Sequence, residues 1–165
     1  MLTLLAVVGA FWVLDRLVPS HKAKINVPAD QNAVYPSQYN DIISHASKRF
    51  GLAKSLIGAI IWTESRNNAQ AIGDGGASFG LMQIQCRTAR DMEFQGSCSE
   101  LQTPPRSVFY GSKYLKSRID KYGLENGVLS YNTGSPTRKG QLFDPNNYRY
   151  KVFSAYKKFQ QEGRG

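Results

Sequence analysis

Histidine is scarce in this chain. Of its 165 residues only His21 and His45 carry an imidazole, and neither stands at metal-ligand spacing from further donors. The same scarcity leaves a serine or cysteine nucleophile without a histidine base. Residues 73–80, from Gly73 and Asp74 through Gly75 and Gly76 to Gly80, are rich in glycine but lack the lysine and Ser or Thr of a phosphate-cradling loop. No internal repeat or low-complexity tract is present, and the period-2 alternation of strands is rare. The two cysteines, Cys86 and Cys98, either close a small loop, worth about 3 kcal/mol in the chain-entropy model, or stay reduced; the sequence leaves both open. No cofactor or metal is implied.

Long hydrophobic runs are also missing, with one short exception. Residues 2–14 are apolar and stop at Asp15 and Arg16, although Leu17 and Val18 extend the stretch. That length is at the low edge for spanning a bilayer and within the range of a signal-peptide core. No basic residues precede it and no small-x-small cleavage site follows, so an uncleaved hydrophobic helix acting as a signal anchor is expected over residues 1–18. The basic residues Arg16, Lys22 and Lys24 behind it favour the opposite orientation, and delivery inside a larger particle or slow release from the membrane would reconcile the two. The alternative is an N-terminal helix packed on the domain or on a partner. Residues 19–36, with Pro28 and Pro36, read as a linker, and residues 37–165 as the domain proper.

Charge is abundant and uneven. Of the formal +9, residues 101–165 carry +8, from twelve basic and four acidic side chains. A basic surface suits polyanions, but these cations are scattered along helices without a nucleic-acid-binding module, so no specific nucleic acid is expected.

The helical pattern is plain. A helix from about Ser37 turns Tyr39, Ile42, Ile43, Ala46 and Phe50 inward and ends at Gly51. The next, Ala53 to Arg66, carries Leu56, Ile57, Ile60, Ile61 and then Glu64 at spacings of three and four, which puts a carboxylate on the aliphatic face. A carboxyl there loses hydration and its pKa rises, the state a general acid requires near neutral pH. The plain alternative is a helix-end acid snorkelling to water. Further helices are expected near Leu81 to Met92, Ser107 to Tyr122 with Gly123 as a stop, Leu124 to Tyr131, and Tyr148 to Gln161. Between the second and third lies the glycine-rich turn, read as at most a small β-hairpin. The class is mainly α.

Glu64 with Ser65, then Gly80, Leu81, Met82 and Gln83, then Tyr131, Asn132 and Gly134, and finally Tyr148, resemble the four ordered motifs of soluble-lytic-transglycosylase-like (SLT) domains in the lysozyme superfamily. The resemblance covers about residues 37–159, and two positions depart from it: Ser130, where the family usually has alanine, and Arg149, where it usually has a small aliphatic residue. It implies a lysozyme-like fold acting on peptidoglycan, in the cell envelope or in a phage virion. Glu64 would protonate the bridge between N-acetylmuramic acid and N-acetylglucosamine and then, ionised, take the proton from the 6-hydroxyl that closes a 1,6-anhydro ring. Ser65 would hydrogen-bond near the carboxylate or sugar, Met82 and Gln83 line the cleft, Tyr131 and Asn132 hold an N-acetyl group, and Tyr148 orient Glu64. Tyr148 also shares an apolar stripe with Val152, Ala155 and Phe159, so a plain core role stays open. Asp74 resembles an aspartate of goose-type lysozymes, which would make the enzyme a muramidase if it activates water; it is equally a good turn residue. A non-catalytic peptidoglycan-binding module is the remaining alternative.

Overall fold

The structure is a computed structural model and describes residues 27–136 and 147–165. Five helices carry it: α1 (Asn40–Phe50), α2 (Lys54–Ser65), α3 (Cys86–Asp91), α4 (Pro104–Thr133) and α5 (Tyr148–Gln161). The hydrophobic stretch at residues 1–18 lies outside the described residues, among which no helix is long and apolar enough to cross a membrane.

Helix α2 is the axis of the core. Every residue from Ser55 to Ile61 is buried, so it is apolar around most of its circumference rather than along one stripe. Each of Ile57, Ile60 and Ile61, at 0 % exposure, removes enough apolar surface from water to contribute about 1.5–3 kcal/mol. Helix α5 lies against α2 with Val152, Phe153, Ala155 and Phe159 buried in the same cluster, and α1, with Ile43 and Ala46 buried, packs against α2 and α4. The chain leaves α2 through Arg66 and Asn67, both left-handed at φ 54° and 67°, which stops the helix just past Glu64.

Three sequence expectations are corrected. The turn is not a lone hairpin: β1 (Ile72–Gly73), β2 (Ser78–Phe79) and β3 (Ile84–Gln85) form a three-stranded antiparallel sheet, with Ile72 opposite Phe79 and Phe79 opposite Ile84. The helix expected from Leu81 starts only at Cys86, because Gly80 and Gln83 take positive φ, 73° and 45°, which no right-handed helix accommodates. The linker is shorter than residues 19–36. From Val27 onward the chain is strapped to α5 by Lys157 and Lys158, whose ammonium groups donate to the carbonyls of Val27, Gln31 and Ala33 at 2.6–2.9 Å, and Val27, Ala33 and Tyr35 are core residues.

The glycine stop at Gly123 holds. Its φ of 76° and ψ of 170° break α4 into two helical halves. Cys86 and Cys98 form a disulfide, Cα–Cα 5.4 Å, which ties α3 to the 3₁₀ turn Cys98–Gln102 ahead of α4.

Candidate active site

A cleft of about 430 Å³ opens between the C-terminal turn of α2, the small sheet, α3 and both halves of α4. Its lining includes Glu64, Asp74, Gln83, Tyr131 and Asn132. Residues from four separate stretches of the sequence therefore meet at one surface.

Glu64 sits in the last turn of α2. Its carboxyl accepts a 2.6 Å hydrogen bond from the Tyr148 hydroxyl. Burial pushes its pKa up to about 7, the Tyr148 hydrogen bond pulls the other way, and the charge of Asp74 adds to the rise. The partial negative charge at the C-terminal end of a helix acts in the same direction as burial. The Tyr148 hydroxyl is itself held well above its ordinary range, by burial and then by Glu64, so it stays a donor. Tyr148 is the first residue of α5, where the Asn147 side chain caps the helix by accepting from the Arg149 amide at 3.0 Å; that cap fixes where the ring enters the core.

On the other side of the cleft, Asp74 stands at a left-handed φ of 51°. Its Oδ2 accepts from Ser78 Oγ at 2.5 Å and from Gln85 Nε2 at 3.3 Å. Gln83 is pinned by its amide nitrogen, which donates to the carbonyls of Ala71 and Gly80 at 3.0 and 2.9 Å. The side-chain oxygen of Gln83 lies 2.3 Å from where a Cβ on residue 73 would be, so glycine there is a packing requirement. The left-handed residues Asp74 and Gln83 both line the cleft, a concentration of unfavourable backbone that is common where a site must be held in one shape.

This helix-and-sheet arrangement can be compared with known proteins. The family model described as the transglycosylase SLT domain matches residues 41–156. The chain belongs to the SLT transglycosylase family. A membrane-bound lytic murein transglycosylase C of Serratia proteamaculans is 31% identical over 151 residues, covering 87% of this chain and 35% of that protein. The transglycosylase of Enterobacteria phage PRD1 is 27% identical over 99 residues, 59% of this chain and 36% of the phage protein. The solved lytic transglycosylase Slt of Pseudomonas aeruginosa, an inactive mutant, shares the fold with a TM-score of 0.65 at 22% identity, over 78% of this chain and 25% of that one. This SLT chain thus spans about a third of the length of these two curated relatives.

Two expected site residues of the SLT domain have other work. Ser65 is buried, does not line the cleft, and its hydroxyl donates back to the Ile61 carbonyl at 3.1 Å, the local bond a helical serine makes most readily. Met82 is fully buried. Its amide donates to Ser107 Oγ at 3.0 Å and its carbonyl accepts from the Tyr131 hydroxyl at 2.7 Å. Met82 therefore positions the Tyr131 ring instead of touching a ligand, and the Tyr131 hydroxyl is already engaged, leaving its ring edge and the exposed Asn132 amide toward the cleft.

Sequence reading overlooked Tyr114, Gln85, Thr88 and Thr133, which also line the cleft. Tyr114 packs on Tyr131 with ring centroids 5.3 Å apart. Its spacing in α4 is that of any amphipathic tyrosine, so only the fold of α4 back on itself at Gly123 identifies it.

Proposed function

We propose that this SLT domain cleaves the β-1,4 bond between N-acetylmuramic acid and N-acetylglucosamine in peptidoglycan by lytic transglycosylation, opening the cell wall locally. The single observation that carries the reading is a desolvated carboxyl, Glu64, with a pKa raised to about 7 in a cleft and anchored by the Tyr148 hydroxyl. Near neutral pH about half of such groups hold a proton, which suits one residue acting first as acid and then as base. Glu64 protonates the leaving glycosidic oxygen as positive charge builds on the muramic acid ring. The resulting carboxylate takes the proton of that ring's 6-hydroxyl, whose oxygen attacks the anomeric carbon and closes the 1,6-anhydro ring. Tyr148 keeps the carboxyl aimed through both steps. Gln83, Tyr131 and Asn132 offer amide groups and an aromatic edge, the usual partners of an N-acetylated sugar.

Replacing Glu64 with Gln tests the assignment. The variant is expected to fold and to bind sacculi while turnover falls about a thousandfold, within the usual contribution of general acid–base catalysis. Mass spectrometry of the released muropeptides reads the reaction type, since anhydro ends are lighter by one water than reducing ends. The presence of Asp74 in the same cleft, coupled to Glu64, supports a second reading, in which Asp74 directs a water and the enzyme is a muramidase. Reducing muramic ends as the main product select that reading.

The SLT relatives include a membrane-bound enzyme and a phage enzyme. We assign residues 1–18 to location at a membrane or within a large assembly, on the periplasmic side of the envelope or in a virion, and not to chemistry. Because Val27 belongs to the core, removal of residues 1–26 is expected to leave activity on sacculi intact and to abolish membrane or particle association in fractionation. An inactive but folded truncation would overturn this division.

A further inference from the structure

One wall of the cleft comes from both halves of α4: Tyr114 from the first, Tyr131 to Gly134 from the second. The two halves diverge at Gly123 and pack closely again at Gly127, where an added Cβ would meet the Ile119 backbone at 2.6 Å. One side chain spans them. Arg118, in the first half, donates from Nε and Nη2 to Ser130 Oγ at 2.8 and 2.6 Å and from Nη2 to the Gly134 carbonyl at 2.8 Å. Its guanidinium lies over the rings of Tyr122 at 4.7 Å and Tyr114 at 5.6 Å. The hydroxyl that receives two of these bonds belongs to Ser130.

We propose that Arg118 is a positioning residue for glycan binding, which locks the Tyr114 and Tyr131–Gly134 wall into one shape and so sets substrate affinity, resting on the reading of this cleft as the glycan site. The physical reason is the planar fork. Three donations converge on two acceptors in separate places, the second of them at the helix end, while the flat face stacks on tyrosine; a lysine, a point charge on a flexible stem, cannot do all of this at once. Ser130 supplies the acceptor that alanine would not. The clamp joins the two halves across the backbone break at Gly123, and two of the residues it touches, Tyr114 and Gly134, line the cleft.

Binding of a soluble N-acetylglucosamine oligomer to proteins carrying Glu64→Gln, measured by calorimetry, tests this without turnover; KM and kcat on sacculi are compared in the otherwise native protein. Arg118→Ala is expected to weaken oligomer binding and raise KM by roughly 5- to 20-fold, with kcat and the pH midpoint governed by Glu64 little changed. Arg118→Lys is expected to recover only a small part of the loss, and Ser130→Ala to show a smaller weakening in the same direction. Lys116→Ala, which removes a half-buried cation two residues earlier that pairs with Asp120 and does not line the cleft, serves as the control and should leave both constants unchanged. Oligomer affinity and KM at native values in a folded Arg118→Ala or Arg118→Lys protein would overturn the proposal, as would a fall in kcat alone that tracks the folded fraction. If no protein, including the one with Arg118 intact, binds the oligomer, the cleft is not the glycan site and the underlying reading fails instead.

Discussion

Glu64 and Asp74 are carboxylates lining one cleft from two differently built walls. Glu64 projects from a helix whose apolar residues are buried on nearly every side, so its carboxyl is stripped of water, has one strong donor in Tyr148, and is held to about 7. Asp74 projects from a turn of left-handed backbone beside two-residue strands, is solvent-exposed, and has Ser78 and Gln85 as donors. The difference shows how the wall sets the carboxyl: burial against a helical core raises the Glu64 pKa, and the charge of Asp74 in its polar turn adds to that rise.

The sharpest way to break the comparison is Glu64→Gln, which removes the acid while keeping the shape. Beyond the thousandfold loss of turnover proposed above, the variant should change how stability depends on pH. The folded pKa of Glu64 lies above its unfolded value of about 4.5, so the folded state binds more protons and stability falls as pH rises from there through about 7. The full penalty above that range is roughly 3 kcal/mol. Thermal melts at pH 4.5 and 8 should therefore differ less in Glu64→Gln than in the native protein; an unchanged difference would mean that Glu64 is not desolvated.

A smaller effect is expected of Tyr148→Phe, which keeps the ring and removes the donor. Turnover should fall about tenfold, the weight of one charge-assisted hydrogen bond. Because Tyr148 holds the Glu64 pKa down, the falling alkaline limb of the kcat profile should move to higher pH. A native profile would assign Tyr148 to packing with Val152 and Phe159 alone.

Asp74→Asn is expected to act least under transglycosylation. It removes the charge that helps raise the Glu64 pKa, so the alkaline limb should shift to lower pH, opposite to Tyr148→Phe, with kcat within about tenfold of native. A collapse approaching that of Glu64→Gln would favour the muramidase reading.

The helical frame was legible in the sequence wherever one local rule ruled alone. Apolar spacing placed α2, glycine punctuation ended α1 at Gly51 and broke α4 at Gly123, and α5 began at Tyr148 as expected. Where local rules conflicted with packing, the reading failed. Leu81 and Met82 look helical, yet both are fully buried core residues between Gly80 and Gln83, whose positive φ values turn the chain into β3. Val27, Ala33 and Tyr35 look like linker because their neighbours are polar, and only the tertiary fold shows why they are ordered: α5 lysines bind the Val27 and Ala33 carbonyls, and Tyr35 packs on Phe159.

The candidate site divides in the same way. Glu64 on an aliphatic face and the four ordered motifs were present in the sequence, because helix periodicity and motif order are local or one-dimensional properties. The hydrogen bond from Tyr148 to Glu64, 84 residues apart, the engagement of the Tyr131 hydroxyl by Met82, the retreat of Ser65 into its own helix, and the clamp of Arg118 on Ser130 were decided by tertiary structure. Each depends on which groups burial brings together and on which donors are already used, and neither is written in the spacing of residues along the chain.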